Sequence, residues 1–112
     1  MGQLIVGTVV AFPFPFSDLS ATKRRPAVVL ADAGRGDWLL CQVTSKAYKG
    51  SEAVTLTSRE FLSGSLDTVS YARPAKLFTG SAEVVHRVVG QLRPEVVQQI
   101  VTGVIRLVTD GK

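Results

Sequence analysis

The hydrophobic pattern of this chain changes once, at Pro94. Before Pro94, short runs rich in Val, Ile, Leu and Phe alternate with turn residues at a spacing typical of strands in small sheets. After Pro94, apolar residues recur every three or four positions, which is the period of an amphipathic helix. Proline is favoured in the first turn of a helix. The pattern therefore predicts a mainly β fold, a small and strongly bent barrel, with one C-terminal helix over about residues 94–109.

The predicted strands are separated by loops that proline, glycine and polar residues mark. Residues 17–25 are polar and charged, so they are expected to form an exposed loop, and 58–62 a single helical turn. Pro13 and Pro15 remove backbone donors, which places this part of the first strand at an edge or at a frayed end. The runs expected to form strands are 4–16, 26–31, 38–44, 53–56, 68–78 with an interruption at Pro74, and 84–92.

Composition is that of a single globular domain spanning residues 1–112, with 46% hydrophobic and 20% charged residues. The longest uncharged apolar stretch, residues 4–16, is too short to cross a membrane. The N-terminus lacks the features of a secretory signal, and the sequence is interpreted as cytoplasmic. A net charge of +4 fits a polyanionic partner.

Several kinds of chemistry are excluded by what the sequence lacks. Cys41 is the only cysteine and His86 the only histidine, so a disulfide, a cysteine cluster and a two-histidine metal site are impossible. No Gly-rich phosphate loop followed by lysine occurs, and no acidic cluster has the spacing of metal ligands. No metal and no cofactor are therefore expected, and Cys41 is expected to be an inert core residue.

Two junctions between strand and loop carry the candidate functional residues. Arg25 directly precedes Pro26, where a guanidinium at the mouth of the sheet either holds a phosphate in two places or belongs to a solvated basic turn. Thr44 and Ser45 end a strand, where hydroxyls either cap the turn or bind a ligand phosphate. Further cations surround Pro74.

Four segments strengthen this interpretation by their order and spacing. They are GTVVAFPFPFSDL (7–19) followed by KRRPAVVL (23–30), CQVTS (41–45), SYARPAKLFT (70–79), and VGQL (89–92) with the helix behind it. This series resembles the MazF/PemK family of toxin endoribonucleases over nearly the whole chain. The first segment is long and specific, while the others add weight through their order.

The resemblance implies an SH3-like β-barrel with a C-terminal helix, a homodimer, and a toxin of a type II toxin–antitoxin system. It implies metal-independent cleavage of single-stranded RNA at short sequences, leaving a 2′,3′-cyclic phosphate and a 5′-hydroxyl. The implied partner is an antitoxin whose acidic flexible segment covers the same groove. The family's catalytic arginine and hydroxyl correspond to Arg25 and Thr44. The residues expected to contact RNA are Arg24, Ser45, Arg73 and Lys76.

The sequence also departs from its relatives. Thr8 stands where many have aspartate, and Thr79 lies near the position where some have an acidic residue after a basic one, here Lys76. Two other functions remain open at this stage. One is a non-catalytic module that binds nucleic acid or a regulatory protein, and the other is a structural interaction domain that uses the Phe-Pro edge.

Overall fold

The computed structural model consists of seven antiparallel strands and one α-helix. It describes residues 4–15, 22–46, 53–85 and 87–111, and at residues 14, 15, 22 and 23 it describes the backbone only. The sheet has the order β4-β6-β3-β2-β1-β7-β5 and curls into a nearly closed barrel. The elements are β1 (Thr8–Pro15), β2 (Thr22–Gly34), β3 (Asp37–Thr44), β4 (Val54–Leu56), β5 (Phe61–Gly64), β6 (Ser70–Ser81), β7 (Arg87–Leu92) and α1 (Pro94–Asp110). The predicted small β-barrel with a C-terminal helix is confirmed.

The C-terminal helix begins at Pro94, as predicted, and ends at Asp110. Its buried residues, Val96, Val97 and Ile100, belong to the same cluster as residues of the barrel, and the helix contacts β6 and β4. Ile105 and Val108 share the apolar period but are exposed. The helix therefore packs against the barrel core as far as Val104, and residues 105–110 are exposed. Within the described residues, no helix is long and apolar enough to cross a membrane.

Several strand boundaries differ from the sequence prediction. The predicted loop over 17–25 is wrong for Thr22–Arg25, which form the start of β2 and pair with the second half of β1; residues 16–21 lie outside the described part of the chain. The short edge strand β5 was not predicted, and the last strand begins at Arg87, after a single 3-10 turn at Ala82–Val84. Polarity is a poor guide here because polar residues are also tolerated at the end of a strand, where Arg24 is exposed.

Both proline positions fit the pairing of the strands. Among the residues that the structure describes, β7 pairs with β1 as far as Ala11, and Pro13 and Pro15 have a paired neighbour in β2 alone. A missing backbone donor is tolerated at such an edge. The interruption expected at Pro74 is found in the pairing of β6 rather than in the strand itself. Four residues, 73–76, stand opposite Gln42 of β3 in a bulge.

The middle of the sheet, in β1, β2 and β3, is buried on both faces. One cluster joins the barrel interior to the helix and includes Val9, Val28 and Val43. The other lies on the opposite face and consists of Val10, Phe12, Ala27, Val29 and Leu40. Consecutive strand residues point to opposite faces, which explains why 26–31 reads as a continuous apolar run without alternation.

Close approach of β5 to β7 depends on two glycines that pair directly, Gly64 and Gly90. A Cβ atom on Gly90 would lie 2.5 Å from the carbonyl oxygen of Ser63 and 2.9 Å from the Phe61 ring. A backbone oxygen cannot move away without breaking the strand pairing. The edge strand is therefore held where no side chain separates the two backbones.

We expect Gly90→Ala to destabilise the protein by about 1–3 kcal/mol, which is the usual cost of overpacking a filled site. Urea unfolding followed by circular dichroism measures this difference. Ser63→Ala, an exposed change on the opposite strand, serves as the control and is expected to have little effect. Equal unfolding midpoints for the two variants would contradict the close-approach argument.

Candidate functional site

One end of the barrel collects most of the candidate residues. Because all neighbouring strands are antiparallel, β1, β3 and β5 end at the same side at which β2, β6 and β7 begin. We call this end the rim. Its charged and hydroxyl residues in the described part of the chain include Arg24, Arg25, Thr44, Ser45, Lys46, Asp67 and Arg87. Four of these are cations and one is an acid, so the rim has the charge that suits a polyanion.

A row of side chains crosses three strands at the rim. The β2–β3 pairing extends to Ala27 and Gln42, and continuing it by two residues places Arg25 opposite Thr44. Thr44 pairs in turn with Tyr71 of β6. Residues directly opposite on neighbouring strands share a face, so the guanidinium, hydroxyl and phenol lie on one surface. We call this set the arginine–threonine row.

Arg25 and Thr44 are held differently from ordinary surface residues. Arg25 is half-buried, and its Nε atom is shielded from solvent. Its direct partner on β1 is the buried Phe12. Thr44 is buried, and its Oγ1 accepts the backbone N–H of Lys46 at 3.2 Å. The hydroxyl therefore caps the turn. A hydroxyl that accepts one hydrogen bond still has its own proton to donate, so capping and phosphate binding are compatible.

Arg73 extends this surface by one residue toward the middle of the sheet. It lies two positions from Tyr71 and begins the bulge opposite Gln42, which is two positions from Thr44. Alternation along the strands places Gln42 and Arg73 on the face of the arginine–threonine row. The thiol of Cys41 donates to the Arg73 carbonyl at 3.1 Å and fixes the backbone of the bulge.

The remaining predicted contacts lie elsewhere on the rim or outside it. Ser45 is exposed just beyond Thr44. Arg24 is exposed, but it precedes Arg25 in the strand and therefore points to the opposite face. Lys76 is exposed at the far end of the bulge, beside Leu77, which pairs with Cys41. Thr44 is three residues beyond Cys41, or about 10 Å along β3. The structure thus brings Arg25, Thr44 and Arg73 together and leaves Arg24 and Lys76 apart.

Thr8 and Thr79, the two departures from the family pattern, lie outside the arginine–threonine row. Thr8 is buried and donates its hydroxyl proton to Oε1 of Gln91 at 3.0 Å, which ties β1 to β7. Thr79 is exposed and pairs with Leu39, five residues along β3 from Thr44. That separation is about 17 Å, so this position does not supply an acid–base group to the arginine–threonine row.

A comparison with protein families matches residues 6–108 to the PemK-like, MazF-like toxins of type II toxin–antitoxin systems. The chain belongs to this family. The match covers all seven strands and nearly the whole of the helix. A search of curated protein sequences gave no significant match.

Several solved structures share this fold over almost their full length. A MazE–MazF structure from Deinococcus radiodurans has 21% identity and a TM-score of 0.71, covering 92% of this chain and 94% of that one. An endoribonuclease from a mycobacterial species has 16% identity and a TM-score of 0.70, covering 96% and 93%. A mycobacterial endoribonuclease in complex with its cognate antitoxin has 13% identity and a TM-score of 0.72, covering 95% of each chain.

Three polar residues near the rim could not be assigned from the sequence of this PemK-like toxin. Gln42 lies beside Arg73 because β3 pairs with β6, and these strands are far apart in the sequence. Arg87 reaches the rim because β7 pairs with β1 rather than with its neighbours in sequence. Asp67 stands in the loop between β5 and β6, and β5 itself was not predicted. Each of these placements depends on long-range pairing, which has no local sequence signal.

The thiol of Cys41 is expected to be unreactive in the folded protein. Burial raises the pKa of the Cys41 thiol to about 12, and the thiolate is the reactive form. At pH 8 we expect Ellman's reagent to react at least about 100-fold more slowly with folded protein than with protein in urea. Equal rates in the two states would show that Cys41 is accessible.

Proposed function

We propose that this chain is the toxin of a type II toxin–antitoxin pair and an endoribonuclease that cleaves single-stranded messenger RNA at a short sequence. The proposed reaction needs no metal and leaves a 2′,3′-cyclic phosphate and a 5′-hydroxyl. The arginine–threonine row, at a cationic rim of a MazF-like barrel, is the observation that carries this proposal. Two of the structural neighbours are endoribonucleases, which supports ribonuclease activity at the level of the family.

Arg25 is proposed to stabilise the charge that develops during cleavage. As the 2′-oxygen attacks, the phosphorus becomes five-coordinate and its non-bridging oxygens gain negative charge. A guanidinium presents two parallel N–H donors to such oxygens. Arg25 is half-buried against Phe12, so its side chain is restricted before substrate arrives. A donor held in place in this way acts without reorganisation during the reaction.

Thr44 is proposed to position the phosphate. Its Oγ1 already accepts the N–H of Lys46, which orients the hydroxyl and leaves its proton for a phosphate oxygen. Ser45 and Arg73 stand on either side of this point and are proposed to contact the neighbouring nucleotides. Tyr71, half-buried beside Thr44, offers a ring on which a base can stack.

The proposed reaction is balanced by one proton loss and one proton gain. The 2′-oxygen forms a bond to phosphorus, and its proton leaves to a base. The bond from phosphorus to the 5′-oxygen breaks, and that oxygen takes up a proton. The arginine–threonine row in the described chain contains no carboxylate or imidazole, so water or a hydroxyl is proposed to carry these protons.

The proposed partners follow from the same surface. An antitoxin with an acidic flexible segment would cover the arginine–threonine row and compete with RNA for Arg25 and Arg73. Neighbouring structures include a MazE–MazF assembly and an endoribonuclease with its cognate antitoxin. We further propose that the toxin is a homodimer that acts in the cytoplasm. RNA contacts are also proposed for Arg24 and Lys76.

Cleavage of a long single-stranded RNA by purified protein in excess EDTA tests the proposed function directly. We expect the wild type to cut, and Arg25→Ala to be slower by about 100- to 1,000-fold, since one preorganised donor is removed. Thr44→Val keeps the shape but loses the hydroxyl, and a reduction of about 3- to 10-fold is expected. Arg35→Gln is the matched control, because Arg35 lies in the turn at the other end of β2.

The outcomes separate the proposed ribonuclease from the two other functions. Binding of RNA without cleavage by the wild type would favour a non-catalytic nucleic-acid module. Absence of both binding and cleavage would favour a structural interaction domain. Equal cleavage by wild type and Arg25→Ala would remove Arg25 from the reaction while leaving a ribonuclease in place. Circular dichroism of each variant checks that the fold is unchanged.

A further inference from the structure

A second cationic site lies on the other face of the sheet at the rim. It is a cavity of about 420 Å³, within the range of small-ligand sites of about 300–1,000 Å³. Arg24 and Arg87 line it, together with Asp67 and Ser65 from the loop between β5 and β6. None of these residues belongs to the arginine–threonine row.

Strand pairing explains why the two arginines meet at this cavity. Ala11 of β1 pairs with Arg87 of β7 on one side and with Pro26 of β2 on the other. These three residues therefore share a face, and Arg24, two positions from Pro26, shares it too. Two strand spacings separate β2 from β7, or about 10 Å. Long arginine side chains can approach one anionic group from both sides across that distance.

The floor of the cavity is apolar and firmly supported. Leu66 and Val89 line it and also pack against the core cluster that contains the helix. Ala11, at the centre of the floor, is buried. A lining that combines apolar side chains with two arginines suits an aromatic base attached to a phosphate, because arginine both binds phosphate and stacks on planar rings.

Asp67 adds a third kind of chemistry to this cavity. It is exposed, and no ion pair joins it to an arginine within the described ranges. An ionised carboxylate is only an acceptor. It therefore favours a group that presents N–H donors, such as the amino-bearing edge of cytosine, adenine or guanine. Uracil has no amino group, and its single N3–H donor lies between two carbonyl oxygens that a carboxylate repels, so it is the base that this carboxylate would favour least.

We propose that this cavity holds one nucleotide flanking the cleaved linkage, with Arg24 and Arg87 at its phosphate and Asp67 selecting an amino-bearing base. The inference rests on the proposed ribonuclease function. Arg24 and Arg25 are adjacent in β2 but face opposite sides of the sheet at its rim. An RNA chain that crosses the rim meets Arg25 on one side and Arg24 on the other. The cavity would then set part of the cleavage sequence.

The base preference is tested with RNA containing randomised positions, cleaved in EDTA and sequenced at the new ends. We expect the wild type to disfavour uracil at one position that flanks the cut. Asp67→Asn is expected to relax the preference at that position by about tenfold and at no other. Asp67→Glu, which keeps the carboxylate, is expected to retain it. Unchanged preferences in Asp67→Asn would overturn the selecting role of Asp67.

The phosphate contact is tested separately, by binding a short single-stranded oligodeoxynucleotide of mixed sequence, which lacks the attacking 2′-hydroxyl. Arg87→Gln is expected to weaken binding and to reduce by about one the slope of log affinity against log salt. Arg35→Gln, an exposed arginine at the other end of the barrel, is the control. Identical binding by the two variants would overturn the cavity as a nucleotide site.

These two arms distinguish failure of the inference from failure of the proposed function. If the wild type cuts no RNA, the ribonuclease proposal fails. The binding arm then still decides whether Arg87 and its cavity contact nucleic acid. If the wild type cuts RNA while Asp67→Asn and Arg87→Gln match it in preference and in binding, the ribonuclease stands and the cavity has no part in it.

Discussion

The antiparallel pairing of β1, β2 and β3 is the constraint on which the candidate site depends. It sets Arg25 opposite Phe12 of β1 and, when the β2–β3 register is continued by two residues, opposite Thr44 of β3. Pairing of β6 with β3 and of β7 with β1 brings the first residues of both strands to the same rim. No side-chain contact between the two candidate catalytic residues is required to bring them together. The backbone ladder positions them, and the apolar cluster behind Phe12 supports the strand that carries the arginine.

The parts of this structure that were predictable from sequence are those with a strong local signal. The helix from Pro94 follows from its apolar period, and Arg25 and Thr44 follow from the resemblance to MazF-like toxins and from their positions at strand ends. The start of β2 was missed because Thr22–Arg25 are polar residues in a strand. The places of Gln42, Asp67 and Arg87 depend on the pairing of β3 with β6, on a short edge strand and on the pairing of β7 with β1. None of these has a local pattern.

Arg24 and Arg25 are adjacent in the sequence, but their positions in β2 place them on opposite faces of the sheet. In the sequence, Lys23, Arg24 and Arg25 form one basic cluster. In the barrel, Arg25 belongs to the arginine–threonine row, and Arg24 belongs to a cavity on the other face. A basic cluster in a loop would present its charges to a single ligand surface. Because they lie in a strand, Arg24 and Arg25 contribute to two different surfaces at the rim. Only a flexible ligand can contact both surfaces at once.

The middle of β2 is buried on both faces, and this affects how precisely β2 can be aligned with its neighbouring strands. Where only one face is apolar, a slip of one residue exposes the core and is strongly penalised. Here the central part of β2 is apolar on both sides, so hydrophobicity distinguishes less well between neighbouring alignments. A slip of one residue would exchange Arg24 and Arg25 between the two surfaces. Correct alignment therefore depends on specific local contacts. One is the turn at Arg35 and Gly36, both of which have positive φ angles, and another is the packing of the Phe12 ring against Gly80.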